Sequence, residues 1–367
     1  MVFSCSIVPV LYVLIRSTPH IKRDSCSTVQ QEIRHVAYIK VHKTASSSIQ
    51  NIFFRFGFDR NLTFVLPSVW SADSIYPNVI SNHETINEKN IRPPPLSKSF
   101  DISCLHVMYN RTAFDRVLPN DTIYIGSLRD PFDQFMSAMF YFDMFKGLKI
   151  QGPNAITDFL KDPENHDITI SESKYALFSF TKNRMAIDFG FPKDVIITQR
   201  KDDIQEHIEK LNKEIALVLI SEHFDESIVL LKRILKWSVK DILYVRKNDN
   251  FHKNKSIIID EDDRNRYRKL SVIDHTLYEY FYLKLWRQIN MEVMFHEEVL
   301  YFKTVRNKVE KYCFKSRTSQ GFISLDLTIP KSYWNEEFKI SAEFCTLLLM
   351  PEIEFVIKIR NKQYGRS

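Results

Sequence analysis

Val36-Ala37-Tyr38-Ile39-Lys40-Val41-His42-Lys43-Thr44-Ala45-Ser46-Ser47-Ser48-Ile49 is the stretch that decides how this chain is read. An apolar, β-branched segment runs into a tight polar loop. A helix follows, with Ile49, Ile52, Phe53 and Phe56 at helical spacing. The loop sets one lysine and a run of hydroxyls at that helix's N-terminus. Free backbone N–H groups, the positive end of the helix dipole, side-chain donors and a cation together make an anion cradle. The loop has no glycine and lacks the G-x-x-x-x-G-K-[ST] spacing, which argues against a standard nucleotide triphosphatase.

The rest of the chain agrees with an α/β enzyme. Its 367 residues suffice for one large α/β domain or two smaller ones. Only 7 are glycine, which argues against glycine-rich dinucleotide loops. A net charge of +6 suits an anionic cofactor or substrate and is too small and scattered to indicate nucleic acid. The five cysteines (Cys5, Cys26, Cys104, Cys313, Cys345) show no C-x-x-C spacing, so no zinc site is expected. They leave open one or two disulfides in an oxidising compartment, or buried thiols. N-x-[ST] triplets at Asn61, Asn110, Asn120 and Asn254 permit a secretory location.

Strands are expected over 36–41, 62–66, 102–107, 122–128, 194–198 and 216–220, alternating with helices. That alternation implies βαβ units: a central parallel sheet with helices on both faces. Residues 173–188 read as helical, and 67–100 as loop with the stiff connector Pro93-Pro94-Pro95. The organisation read is a short apolar segment and linker over 1–34, a catalytic domain over 35–315, and a C-terminal extension over 316–367. β-like runs mark that extension at 322–329, 344–349 and 354–359.

A second anion loop follows the strand at 122–128. Arg129 stands at the strand end, Asp130 and Pro131 open the next helix, and Ser137 lies two turns in. One arginine and one hydroxyl can bracket a phosphate, the arginine through its bidentate fork. Open parallel sheets bind ligands at the carboxyl ends of their strands. Two such loops, about 80 residues apart in a βα pattern, suggest a ligand with two separate anionic groups.

The Lys43-Thr44-Ala45-Ser46-Ser47 loop resembles the 5′-phosphosulfate loop of Golgi carbohydrate sulfotransferases, and the Arg129…Ser137 loop their 3′-phosphate motif. Residues 217–231 contain Ser221-Glu222-His223-Phe224-Asp225-Glu226-Ser227. They look like the strand–turn–helix block of the galactose-3-O-sulfotransferase family, which includes galactosylceramide sulfotransferase. So do Phe53-Phe54-Arg55-Phe56, Asp188-Phe189-Gly190-Phe191, and Leu277-Tyr278-Glu279-Tyr280-Phe281 with Trp286. The likeness covers roughly 36–313.

That resemblance implies a P-loop-like sulfotransferase fold. It implies PAPS (3′-phosphoadenosine 5′-phosphosulfate) as sulfate donor, no metal, and transfer to the 3-hydroxyl of a terminal galactose on a glycolipid or glycoprotein. Lys43, Thr44, Ala45, Ser46 and Ser47 would hold the 5′-phosphosulfate, with Lys43 stabilising the leaving group. Arg129 and Ser137 would hold the 3′-phosphate. A base is needed for the acceptor hydroxyl, and histidine suits it by pKa. His106 is favoured, with His42 orienting acceptor or sulfate, and the two roles can be exchanged. The family's C-N-H-L-R-F segment is Cys104-Leu105-His106-Val107-Met108-Tyr109 here, which loses an asparagine and an arginine near the presumed acceptor. That leaves room for another sugar, as in heparan 2-O-sulfotransferases, or for a non-catalytic glycan-binding protein of the same fold.

The resemblance also implies a lumenal catalytic domain on a Golgi membrane, held by a type II N-terminal anchor. The apolar run at 3–15, interrupted by Pro9, is shorter than the roughly 20 residues of a span. Its basic residues (Arg16, Lys22, Arg23) follow it, which by the positive-inside rule disfavours that orientation. Glu222, His223, Asp225 and Glu226 are read first as a turn and helix N-terminus, where acids complement the dipole.

Overall fold

The computed structural model describes residues 31–68, 77–245, 257–318 and 326–365. The apolar run at 3–15, Cys5, Cys26 and Asn254 lie outside them. Four short strands form one parallel sheet: β1 (Val36–Tyr38), β2 (Ile102–Ser103), β3 (Ile123–Leu128) and β4 (Leu217–Ile220), in the order β2-β1-β3-β4. Val36 registers with Ile102 on one side and Ile123 on the other, and Ile125 with Leu217. The strands are buried almost throughout, as parallel strands covered by helices must be, so they read as continuous apolar runs without alternation.

From β1 the chain passes through α1 (Ser46–Asp59) to β2, then returns to place β3 on the opposite side of β1. The strand order therefore reverses between β1 and β3. The crevice beyond their carboxyl ends is where such sheets take ligands. Pro131 starts α2 (Pro131–Tyr141) and the Asp130 side chain caps it by accepting from the Asp133 N–H at 3.0 Å. After the short α3 (Arg184–Asp188), α4 (Lys201–Glu214) buries Ile204, Ile208 and Leu211, a single stripe at helical spacing. The helices α5 (Phe224–Leu235) and α7 (Val272–Asn290) pack on β4, with α6 (Glu261–Leu270) between them in sequence. Beyond α7, α8 (Phe295–Thr318) packs along α5.

Several expected strands take other forms. The segment 194–198 is helical, in Lys193–Thr198. Pro192 stands before its first turn and Asp194 inside it, and Val195 and Ile196 still reach the core; context outweighs their β-branched propensity. Only Ile102 and Ser103 of 102–107 join the sheet, while Phe64 and His106 make single parallel bridges, to Ile102 and Val79. Residues 173–188 split into a 3₁₀ turn (Ser173–Phe178) and α3.

The tail differs most. Leu327–Ile329 is a strand, β5, paired antiparallel with β6 (Phe338–Ile340). The runs at 344–349 and 354–359 belong instead to helices α9 (Ala342–Leu349) and α10 (Glu352–Tyr364). Ser341 caps α9 through the Phe344 N–H, and Pro351 precedes α10. Their buried residues (Phe344, Cys345, Leu347, Leu348; Phe355, Val356, Ile359) follow helical spacing, which a six-residue window cannot tell from a buried strand. Phe355 packs on Phe54 of α1 at 5.2 Å, and Asn51 donates to the Leu347 carbonyl at 3.0 Å. A disulfide joins Cys313 of α8 to Cys345 of α9, and Cys104 is a buried free thiol.

Candidate active site

The loop after β1 bends without glycine. Lys43 and Ala45 both take left-handed φ values, 63° and 57°, a conformation that ordinary residues adopt at a cost. A relay of single-hydrogen hydroxyls ties the bend to β3. Tyr38 and Ser127 lie 2.7 Å apart, Ser127 and Thr44 2.7 Å apart, and Thr44 donates to the Val41 carbonyl at 3.1 Å. Thr44 is thus fully buried beneath the loop. From α2, Gln134 donates to the His42 carbonyl at 3.1 Å. The loop's shape is fixed by buried partners on two neighbouring elements.

Above that base, α1 opens with no side-chain cap and no acid in its first turn. Its N-terminal N–H groups and dipole are those of an anion site. Arg129, at the end of β3, reaches across the crevice and donates to the Lys43 carbonyl at 3.4 Å. The loops after β1 and β3 therefore meet at the switch point. The Lys43 ammonium rests 3.5 Å from the centre of the Tyr141 ring. Ser46 is buried at the start of α1, Ser47 donates to Glu352, and Ser137 sits half-buried on α2 with no side-chain hydrogen bond among the described residues.

A cavity of about 480 Å³ opens beside this loop, lined by Ala45 and Ser48, by Ser221 and Glu222 after β4, and by Tyr244 and Lys303. That is the size of a small-ligand site. Its acids are already partnered. Glu222 accepts from the Asp130 N–H at 2.9 Å and the Tyr278 hydroxyl at 3.2 Å. Asp225 holds the Tyr244 hydroxyl at 2.6 Å and pairs with Arg306, and Glu226 pairs with Lys303. The structural reading of these acids agrees with those contacts, and they also wall the cavity.

On the other side of the loop the imidazoles of His42 and His106 stack, centroids 3.9 Å apart. Asp188, at the end of α3, accepts from both the backbone N–H (2.9 Å) and Nδ1 (2.8 Å) of His42. Arg184 holds the other Asp188 oxygen. Burial works to raise the Asp188 pKa, but Arg184 and His42 pull it down to about 2. His106 donates Nδ1–H to the Lys40 carbonyl at 3.0 Å. Each ring is thereby held in the tautomer that leaves Nε2 as the lone-pair nitrogen. Burial depresses both pKa values, that of His106 to well below the ordinary range. The pair is neutral at pH 7.

Asp188 and Arg184 had no role in the sequence reading, although Asp188 stood in a quoted motif. The next residue but one explains part of that motif: Gly190 has φ 76°, and a Cβ there would lie 1.9 Å from the Tyr109 carbonyl. Reciprocal caps fix α3. Asp274 accepts from the Met185 and Ala186 N–H groups, and Asn183 accepts from those of Ile273 and Asp274. Among the described residues no group of three His, Cys, Asp or Glu side chains could hold a metal, and no helix is long and apolar enough to cross a membrane.

The family model for galactose-3-O-sulfotransferase matches residues 1–321. Galactose-3-O-sulfotransferase 2 of Homo sapiens is 30% identical over 261 residues, which cover 71% of this chain and 62% of that protein. Galactose-3-O-sulfotransferase 3 of Mus musculus is 28% identical over 353 residues, covering 90% and 78%. Galactosylceramide sulfotransferase of Bos taurus is 26% identical over 349 residues, covering 90% and 78%. The chain thus spans under two thirds of the human relative's length and over three quarters of the other two. A match across most of the chain, the loops after β1 and β3 meeting at one switch point and the expected central parallel sheet agree: the chain belongs to the galactose-3-O-sulfotransferase family.

Proposed function

We propose that this protein is a PAPS-dependent sulfotransferase of P-loop-like fold that sulfates the 3-hydroxyl of galactose on a glycolipid or glycoprotein glycan. The observation that carries the reading is the meeting of Lys43 and Arg129 at the crevice between β1 and β3, in a chain matched by the family model over residues 1–321. The residues present fit the donor. The α1 N-terminus has no side-chain cap and no acid in its own first turn, Arg129 reaches the Lys43 carbonyl beside it, and Ala45 and Ser48 of the same loop and helix border a cavity of small-ligand size.

When bound, PAPS supplies the sulfuryl group. In the proposed site the first-turn N–H groups of α1, Ser46 and Lys43 hold the 5′ end, and Arg129 and Ser137 the 3′-phosphate. Lys43 is the cation for charge that develops on the leaving oxygen. Nε2 of His42 or His106 takes the acceptor's proton. The Asp188 contact favours His42, because a carboxylate on Nδ1 stabilises the imidazolium that forms. His106 then packs on that ring and fixes its plane. An aromatic rim continues outward from His42 through Phe180 (5.2 Å) to Phe142 (4.9 Å) and the exposed Tyr141. Such rings suit the apolar face of a sugar.

The Cys313–Cys345 disulfide and the exposed Asn61, Asn110 and Asn120 support an oxidising, secretory setting, consistent with a Golgi-lumenal domain held by an N-terminal anchor. The test is incubation with sulfur-labelled PAPS and a panel of β-galactosides, with and without chelator, beside a Lys43→Ala control. Transfer to a galactoside that is lost in the control is the expected result. PAPS binding with transfer only to another sugar moves the acceptor assignment. Binding of glycan without PAPS leaves a glycan-binding protein.

A further inference from the structure

Glu352 is the first residue of α10, 312 positions from Lys40 and outside the span matched by the family model. Its carboxylate enters the base of the candidate active site. One oxygen takes the Lys40 ammonium and the Asn78 side-chain N–H (2.5 Å); the other takes the Ser47 hydroxyl at 2.7 Å. The Lys40 side chain is fully buried and also donates to Gln50 of α1 at 3.0 Å.

Both partners lead to the histidine pair. The Lys40 carbonyl accepts from His106 Nδ1, and the Asn78 carbonyl from the His106 N–H at 3.2 Å. Ser47 leads to the cradle, as the second residue of α1. One carboxylate therefore stands behind both halves of the site. With three donors on its two oxygens it is a fixed anion and not a proton acceptor. A serine hydroxyl has one hydrogen, and here Ser47 directs it at Glu352.

We propose that Glu352 is a positioning residue for sulfuryl transfer: it sets the first turn of α1 through Ser47, and the His106 backbone through Lys40 and Asn78. Ser47 then acts through Glu352 and is not an independent cofactor ligand. The inference rests on the reading above that the α1 N-terminus receives the 5′ end of PAPS.

The test measures calorimetric binding of PAP, the desulfated 3′,5′-bisphosphate, to the whole protein, with kcat and KM alongside. Lys40→Met/Glu352→Met removes the ion pair without leaving a buried charge. It is expected to weaken PAP about tenfold, as is Ser47→Ala, and the triple variant no further than about tenfold, because the same Ser47–Glu352 contact is lost in every case. Lys40→Met/Glu352→Gln keeps an acceptor for Ser47 and is expected to recover affinity to within about threefold of wild type. Glu352→Asp keeps the buried charges paired, so it tests the contact even if the apolar variant does not fold; it too is expected to weaken PAP. Wild-type affinity in Lys40→Met/Glu352→Met and Glu352→Asp overturns the proposal. So does an additive loss of about a hundredfold in the triple variant, which makes Ser47 a direct ligand. Tighter PAP binding without Glu352 also overturns it, since the carboxylate then competes with the ligand. A wild-type protein that binds no PAP refutes the cofactor reading itself, and this inference with it.

Discussion

Asp188 grips His42 at two points, the ring nitrogen and the backbone N–H of the residue that opens the cofactor loop. The same carboxylate that fixes an imidazole tautomer therefore fixes where the loop after β1 begins. In the proposed function this makes base and cradle one mechanical unit, and substitutions at either are expected to be felt at the other.

Replacing Asp188 with Asn tests that coupling. The imidazolium of His42 loses its counter-charge, and Arg184, fully buried, loses its partner. We expect kcat to fall by about a hundredfold or more. Unfolding free energy should drop by about 3–5 kcal/mol, the usual cost of breaking a buried pair. Steady-state kinetics below the melting transition, with denaturant unfolding, separate the two effects. Wild-type kcat in a destabilised protein would leave Asp188 a purely structural acid.

The pH dependence follows from the buried histidines. In the fold His42 and His106 resist protonation, whereas in the unfolded chain histidine binds a proton near pH 6.5. The unfolded state then holds more protons below that pH, so stability falls as pH drops below about 6.5. Above it the two histidines add no pH dependence. The acid limb of kcat/KM is expected to inflect below pH 6.5, since the folded rings stay neutral to lower pH. A limb centred above 6.5 would show that a ring is charged in the active fold.

Lys43 and Arg129 should fail in different ways. Lys43→Ala is expected to lower kcat about 100- to 1000-fold with little change in melting temperature, because the lysine is only partly buried and rests on Tyr141. Arg129→Ala is expected to raise the donor KM about tenfold, and Arg129→Lys not to restore it, because an ammonium lacks the planar fork. Equal losses in kcat for both would remove the distinction between leaving-group and binding roles.

The disulfide can be weighed directly. Cys313 and Cys345 close a loop of 32 residues, for which chain entropy gives about 3–4 kcal/mol. Cys345→Ser should lower unfolding free energy by that order in urea titrations. Because α9 leads straight into Glu352, the variant should also bind PAP more weakly at temperatures where it is still folded. Unchanged affinity in a destabilised protein would show that α10 holds its place without the crosslink.

Much of the sheet was legible because its signals are local. The strands at 36–38, 123–128 and 217–220 are apolar runs closed by polar turns, and Asp130-Pro131 announces a helix start. Lys43 and Arg129 could be named from the anion-binding chemistry of loops that leave strand ends, and His42 and His106 from the resemblance to the family. What was illegible is long-range. Nothing near Asp188 says that its carboxylate turns to His42, 146 positions earlier. The run Val195-Ile196-Ile197-Thr198 has the composition of a strand, and only the preceding Pro192 and its packing make it a helix. In the tail, buried spacings of one, three and four read as β-like apolar runs because each quoted run spans fewer than two helical turns.

The ion pair between Lys40 and Glu352 also has a consequence in time. A ribosome adding about 5–20 residues per second makes Glu352 roughly 15 to 60 s after Lys40. Throughout that interval Lys40 exists without the Glu352 carboxylate. A nascent chain cannot bury Lys40 cheaply, so the first strand is synthesised early and completed late. A premature stop before the last helix would remove the carboxylate that Lys40, Asn78 and Ser47 share, not merely shorten the tail.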